Sequence, residues 1–112
     1  MDFSIQLRES RGVTVLDLTG SLVRGEPCEK LRRQVGDLLA AGKKKLLLNL
    51  EELSFMDSIG MNALMKAVIL AGEQGGEMKI VRPREMESAA SATSLLDLYE
   101  SESEALSSFL AS

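Results

Sequence analysis

The chain has 112 residues, enough for one hydrophobic core and too few for two, so a single domain spanning 1–112 is expected. An apolar content of 45% with 27% charged residues excludes a disordered chain. Net charge −4, from 13 basic and 17 acidic residues, argues against a surface that follows nucleic-acid phosphates, and no stretch approaches the ~20 apolar residues of a membrane span.

The N-terminal MDFSIQLRES lacks the basic and apolar blocks of a secretory signal, so a cytoplasmic location is expected. Phe3, Ile5 and Leu7 alternate with Ser4, Gln6 and Arg8, the period of a strand with one buried face. A turn at Arg11-Gly12 leads to VTVLDLT, 13–19, whose β-branched side chains favour a second strand in a hairpin with the first. The period then changes. Pro27 suits the first turn of a helix, Cys28, Leu31, Val35, Leu38 and Leu39 recur at helical spacing, and Gly42 is positioned to end it as a left-handed cap. Gly36 weakens that helix by about 1 kcal/mol relative to alanine. Cys28 is the only cysteine, so no internal disulfide forms and burial is its expected role.

Lys43-Lys44-Lys45 is expected to close this helix, because cations favour a helix C-terminus, and to open the next strand. The following LLLNL, 46–50, is a continuous apolar run, the mark of a central strand covered on both faces. Helical spacing returns at Ser58. Met61, Leu64, Met65, Val68 and Leu70-Ala71 form an apolar surface broad enough to predict deep burial, and Glu73-Gln74-Gly75-Gly76 ends it. EMKIVR, 77–82, reads as a strand stopped by Pro83, REMESAASA, 84–92, as helix-prone, and LLDLY, 95–99, as a short strand. Ser101 and Glu104 are spaced as a capping box ahead of a last helix carrying Ala105, Leu106, Phe109 and Leu110. This order predicts an α/β fold: a mostly parallel sheet of four to five strands with an N-terminal hairpin strand and about four helices.

The chain contains no histidine, which removes Ser-His-Asp and Cys-His catalysis and imidazole ligands for a metal. No enzyme activity, metal or cofactor is expected. Polar chemistry concentrates in LSFMDSIGMNAL, 53–64, where Asp57, Ser58 and Gly60 mark the seam between the central strand and the next helix. Open α/β sheets place their sites at this carboxyl edge of the strands. At a helix N-terminus, with its unpaired N–H groups and positive dipole, Ser58 has two uses. Its oxygen can cap the helix, with Asp57 adding favourable charge. Alternatively it carries a phosphate, held as helix termini hold anions. A phosphate adds about −1.5 to −2 charges, and on a docking surface carrying Met56, Ile59 and Met61 its desolvation would cost several kcal/mol. Ser58 as a nucleophile would need an oriented base, a role open to Lys44 or Lys66 only if the fold brings one close.

LLLNLEELSFMDSIGMNALMKA resembles the signature of the STAS domain, and more narrowly of the anti-sigma factor antagonists: an apolar strand, a short crossover, then Asp-Ser-x-Gly opening a helix. The similarity runs from FSIQL through LTGSL to LLDLYESESEAL. It implies a bacterial regulator of transcription that is not an enzyme. In that family the serine matching Ser58 is phosphorylated by a partner that is both anti-sigma factor and serine protein kinase. The unphosphorylated form captures that partner, and a serine phosphatase resets the cycle. Asp57 matches the acid before the phosphoacceptor, and Gly60 the small residue that lets the kinase approach. Family members commonly carry Gly-x-Leu-Asp after the second strand, where this chain has Gly20-Ser21-Leu22-Val23-Arg24. Ser21 and Arg24 are thus candidates to meet a partner. Arg24 can oppose a phosphate on Ser58, face an acidic partner, or remain solvated. Other proteins similar to STAS domains are scaffolds of signalling particles or subunits of lipid-transport assemblies, an alternative role here.

Overall fold

The computed structural model describes residues 3–83 and 98–111. The alternating N-terminal segment forms β1, Phe3–Ser10, which returns antiparallel as β2, Val13–Leu22. The turn residues have φ of 54° at Arg11 and 80° at Gly12, the left-handed pair that a tight hairpin needs to match strand twist. There follow α1, Glu26–Ala40, β3, Lys45–Asn49, β4, Leu53–Met56, α2, Ser58–Glu73, β5, Glu77–Val81, β6, Leu98–Tyr99, and α3, Glu102–Ala111. The sheet order is β1-β2-β3-β5-β6, with β1 antiparallel to β2 and the other pairs parallel. The α/β class and the hairpin on a parallel sheet are as the sequence implies. Three helices are present among the described residues, and the helix expected at 84–92 lies outside them, as do residues 95–97 of the expected last strand.

The sixth strand, β4, was expected as plain crossover. Its four residues bury only Leu53 and Met56, so they carry no two-residue alternation by which a strand could be recognised. After β3, a turn closed by the Leu53 N–H to the Leu50 carbonyl (3.0 Å) breaks the strand. β4 then resumes beside the same neighbour, Leu53 opposite Gly20 and Met56 opposite Leu22. β2, at ten residues, is long enough to pair with β3 through Thr14–Asp17 and with β4 near its end. A register irregularity between Gly20 and Ser21 absorbs the break.

Alternation in the central strands divides the core. Leu16, Leu18, Leu46, Leu48 and Ile80 join Leu31, Val35 and Leu39 of α1 and Leu64, Ala67 and Ala71 of α2. Val13, Val15, Leu47 and Val81 face the opposite layer, against Ala105, Leu106 and Phe109 of α3. The LLLNL run is therefore covered on both sides, as its continuous apolarity requires. On the α3 side, Arg8 donates to both Asp17 and Glu102, and Asn49 donates to Asp17 at 2.9 Å. The Arg8 hydrogen bonds hold the Asp17 carboxyl below its ordinary range against the opposing effect of burial.

Helix ends follow local chemistry with one exception. Gly42 has φ 89°, and the Ser101 hydroxyl accepts the Glu104 N–H at 3.2 Å, the serine half of the capping box. The lysine run does not complete α1, whose last turn holds no basic residue. Lys43 pairs with Glu9 at 3.3 Å, and Lys44 donates to the Gln74 carbonyl at 2.7 Å, tying this loop to β1 and to the end of α2. Gly36 lies mid-helix with no atom within 4 Å of an added methyl group. Gly36→Ala should therefore stabilise the protein by about 0.5–1 kcal/mol, measured as a higher urea midpoint at unchanged slope.

Candidate functional site

The ends of β2 and β4 converge where α2 begins. The Asp57 N–H donates to the Leu22 carbonyl at 3.3 Å, continuing the strand pairing by one residue, and the Asp57 backbone is extended at φ −92° and ψ −178°. An N-cap residue requires that conformation. Its Oδ1 accepts the Gly60 N–H at 2.7 Å and its Oδ2 accepts the Arg24 N–H at 3.1 Å, so one carboxylate ties the helix start to the β2–α1 loop. The expectation that Ser58 could be the cap is thus corrected: Asp57 takes that bond. Ser58 is the first residue of α2 and is exposed. The Gly60 N–H, followed by that of Arg24, holds the Asp57 carboxyl below its ordinary value.

Gly60 is buried, and a Cβ there would meet the Leu22 carbonyl oxygen at 2.1 Å. Its smallness lets α2 lie against the backbone of β2, a requirement set within the fold itself. Leu22 and Met56 are both in the main core.

The remaining site candidates separate by exposure. Arg24 and Ile59 are exposed beside Ser58. Ser21 and Met56 retain only 5% and 8% of their exposure, because β2 continues to Leu22 and pairs with β4 instead of ending as a loop near Thr19. Contrary to the expectation from sequence, they present almost no surface to a partner. Met61 is half-buried against the core. Phe55, which no local pattern marks as a site residue, is 53% exposed on β4, and among the described residues β4 pairs with β2 alone. A lone aromatic in the crossover was the signal for it. Deep burial of α2 is likewise corrected, since Ile59 and Ile69 are 44% and 58% exposed.

Among the described residues the arrangement gives Ser58 no positioned base. Both Asp57 oxygens are engaged with backbone, and Lys44 is bound at the Gln74 end of α2, some ~24 Å away by helix rise. Lys66 lies two turns along the helix. Cys28 is half-buried and donates to the Val23 carbonyl at 3.1 Å; burial, with the charges of Asp57 and Glu29, pushes its thiol up. Among the described residues no metal-ligating cluster forms, and no helix is long and apolar enough to cross a membrane.

Gly60→Ala should lower stability by about 3 kcal/mol, because the methyl group meets backbone that cannot rotate away; urea unfolding checks this. The folded Asp57 carboxyl titrates below its ordinary 3.8, so its stabilising effect is complete above about pH 4 and is lost as pH falls through the folded value. Melting curves of wild type and Asp57→Asn should differ most from pH 5 to 7 and converge only as pH falls through the folded value, which lies below 3.8.

The STAS domain family matches residues 4–105. An anti-sigma F factor antagonist of Paenibacillus polymyxa is 28% identical over 81 residues, covering 71% of this chain and 68% of that protein. The crystal structure of an anti-sigma factor antagonist from Mycobacterium paratuberculosis is similar with TM-score 0.74 at 18% identity, over 96% of this chain and 93% of the other. The Bacillus cell fate determinant SpoIIAA in its phosphorylated form is similar with TM-score 0.69 at 23% identity, over 95% and 99%. At these identities the solved structures speak to the fold. The family match spans the hairpin, the central strands, the Asp57-Ser58 turn and the start of α3, and on that ground the chain belongs to the STAS domain family.

Proposed function

We propose that this chain is a phosphorylation-switched anti-anti-sigma factor of the cytoplasm. With Ser58 free it captures an anti-sigma factor that is also a serine protein kinase; phosphorylation of Ser58 releases that partner, and a serine phosphatase restores binding. The observation that carries this reading is the exposed Ser58 at the start of α2, relieved of capping by Asp57. The relative named an anti-sigma F factor antagonist and the phosphorylated SpoIIAA structure support it.

The switch follows from charge at an apolar rim. Phe55 and Ile59 flank Ser58 with exposed apolar surface suited to a protein partner. Asp57 already occupies the Gly60 and Arg24 N–H groups, so a phosphate on Ser58 would stand beside a carboxylate and project toward the incoming protein. Docking would then strip water from about two extra negative charges, at a cost of several kcal/mol. Arg24, exposed at the same rim, would face that phosphate or an acid of the partner.

Incubation with the cognate anti-sigma factor kinase and ATP should yield one phosphate, mapped to Ser58 by mass spectrometry. Phosphate on another residue with Ser58 unmodified would defeat the assignment. Ser58→Asp should weaken association with that kinase roughly 30- to 100-fold by titration calorimetry. The melting temperature should not fall, because an acid at the first helical position suits the helix dipole.

A further inference from the structure

The β2–α1 loop brings Arg24 to the start of α2. Its backbone N–H donates to Asp57 Oδ2 at 3.1 Å, so the Arg24 main chain lies against the carboxylate of the residue before Ser58. One residue step moves the chain about 3.8 Å between Cα atoms, and an extended arginine stem spans that gap. The guanidinium can therefore reach a group carried by Ser58.

The fold itself makes no use of this cation. Among the described residues the Arg24 side chain has no ion pair or hydrogen bond, and it is exposed. Nor does α1 account for it. Arg24 precedes the Gly25 N-cap, at the end of a helix whose dipole favours acids, and Glu26 and Glu29 fill that first turn. Glu26 also lacks an ion pair among the described residues, but its place at the first helical position explains it.

A phosphate on Ser58 would need such a partner. The Gly60 N–H is already bonded to Asp57 at 2.7 Å, and the Asp57 carboxylate stands beside the phosphate as a like charge. From α1, the facing turn carries Glu26, Glu29 and the Cys28 thiol, which burial and then the Asp57 charge push up, so it stays neutral. β4, LSFM, brings no charge. Of the other cations near this end, Arg32 is tied to Glu29 at 2.7 Å, and Lys66 lies two turns into α2. Arg24 remains, and its planar fork matches two phosphate oxygens at once.

We propose that Arg24 is the charge partner of phosphorylated Ser58 within the same chain. The pair keeps the phosphate doubly charged at neutral pH and withdraws Arg24 from any acid of the docking protein. One modification thus changes two charges at the rim. For the cell's use of that phosphate this rests on the switch reading; the pairing itself does not.

The test uses the whole chain with phosphoserine placed at position 58 during translation, titrated by phosphorus NMR. The second phosphate pKa, about 6 for an exposed phosphoserine, should lie about 0.5 lower in the parent chain than in Arg24→Gln, roughly threefold in proton affinity and the size of an exposed ion pair. Arg24→Lys keeps the charge without the fork and should retain about half of that difference. Arg32→Gln, an equal change in net charge farther along α1, should leave the value in place. Without phosphate, Arg24→Gln should melt as the parent does, because glutamine keeps the N–H that bonds Asp57. Equal phosphate pKa values in the parent and Arg24→Gln, an equal change on Arg32→Gln, or Arg24→Lys behaving as Arg24→Gln would each overturn the proposal. No kinase is needed to install the phosphate. A failed kinase assay therefore leaves the pairing standing, and a failed titration leaves phosphorylation of Ser58 untouched.

Discussion

Asp57 follows β4 and accepts two backbone N–H groups at once, one from Gly60 in α2 and one from Arg24 in the β2–α1 loop. The first turn of a helix leaves its N–H groups unpaired, and loop amides near the sheet also need acceptors. One side chain meets both needs. The consequence reaches the neighbouring residue: a serine acting as the cap would turn its oxygen toward backbone, whereas here the carboxylate makes that bond and Ser58 is exposed. Capping and exposure are divided between adjacent residues.

That division depends on how closely α2 approaches β2. Gly60 lies against the Leu22 carbonyl, and Asp57 N–H bonds the same oxygen. The approach in turn depends on the broken strand. β3 stops at Asn49, the chain turns, and β4 continues along the distal part of β2, bringing Met56 into the core and Asp57 to the helix start. With β2 as its only strand partner among the described residues, β4 leaves Phe55 exposed near Ser58. A break in one central strand thereby produces both the cap and the apolar rim.

Much of this was legible in the chain. The alternation of residues 3–7, the turn at Arg11-Gly12, the apolar spacing of α1 and the continuous run at 46–48 are patterns among near neighbours, and each became the expected element. The Asp-Ser-x-Gly turn was also recognisable as the start of a helix. What could not be read was the use made of each residue there. Ser21 lies in a sheet because β4 pairs with it, and Gly60 is small because Leu22, far away in sequence, is close in space. The lysine run gave a helix-end signal but bonds to β1 and to the end of α2, partners that no local rule identifies.

The sequence by itself determined the order of elements, the two-sided burial of the central strand and the position of Ser58 at the mouth of a helix. Those follow from periodicity and terminal residues, which depend on neighbours within a few positions. Only the tertiary structure decided that Asp57 caps, and that Met56 and Ser21 are enclosed while Phe55 and Ile59 are not. Capping and exposure depend on where distant segments come to rest. Leu22 and Arg24 meet Asp57 and Gly60 across more than thirty residues of intervening chain, a separation over which local pattern carries no information.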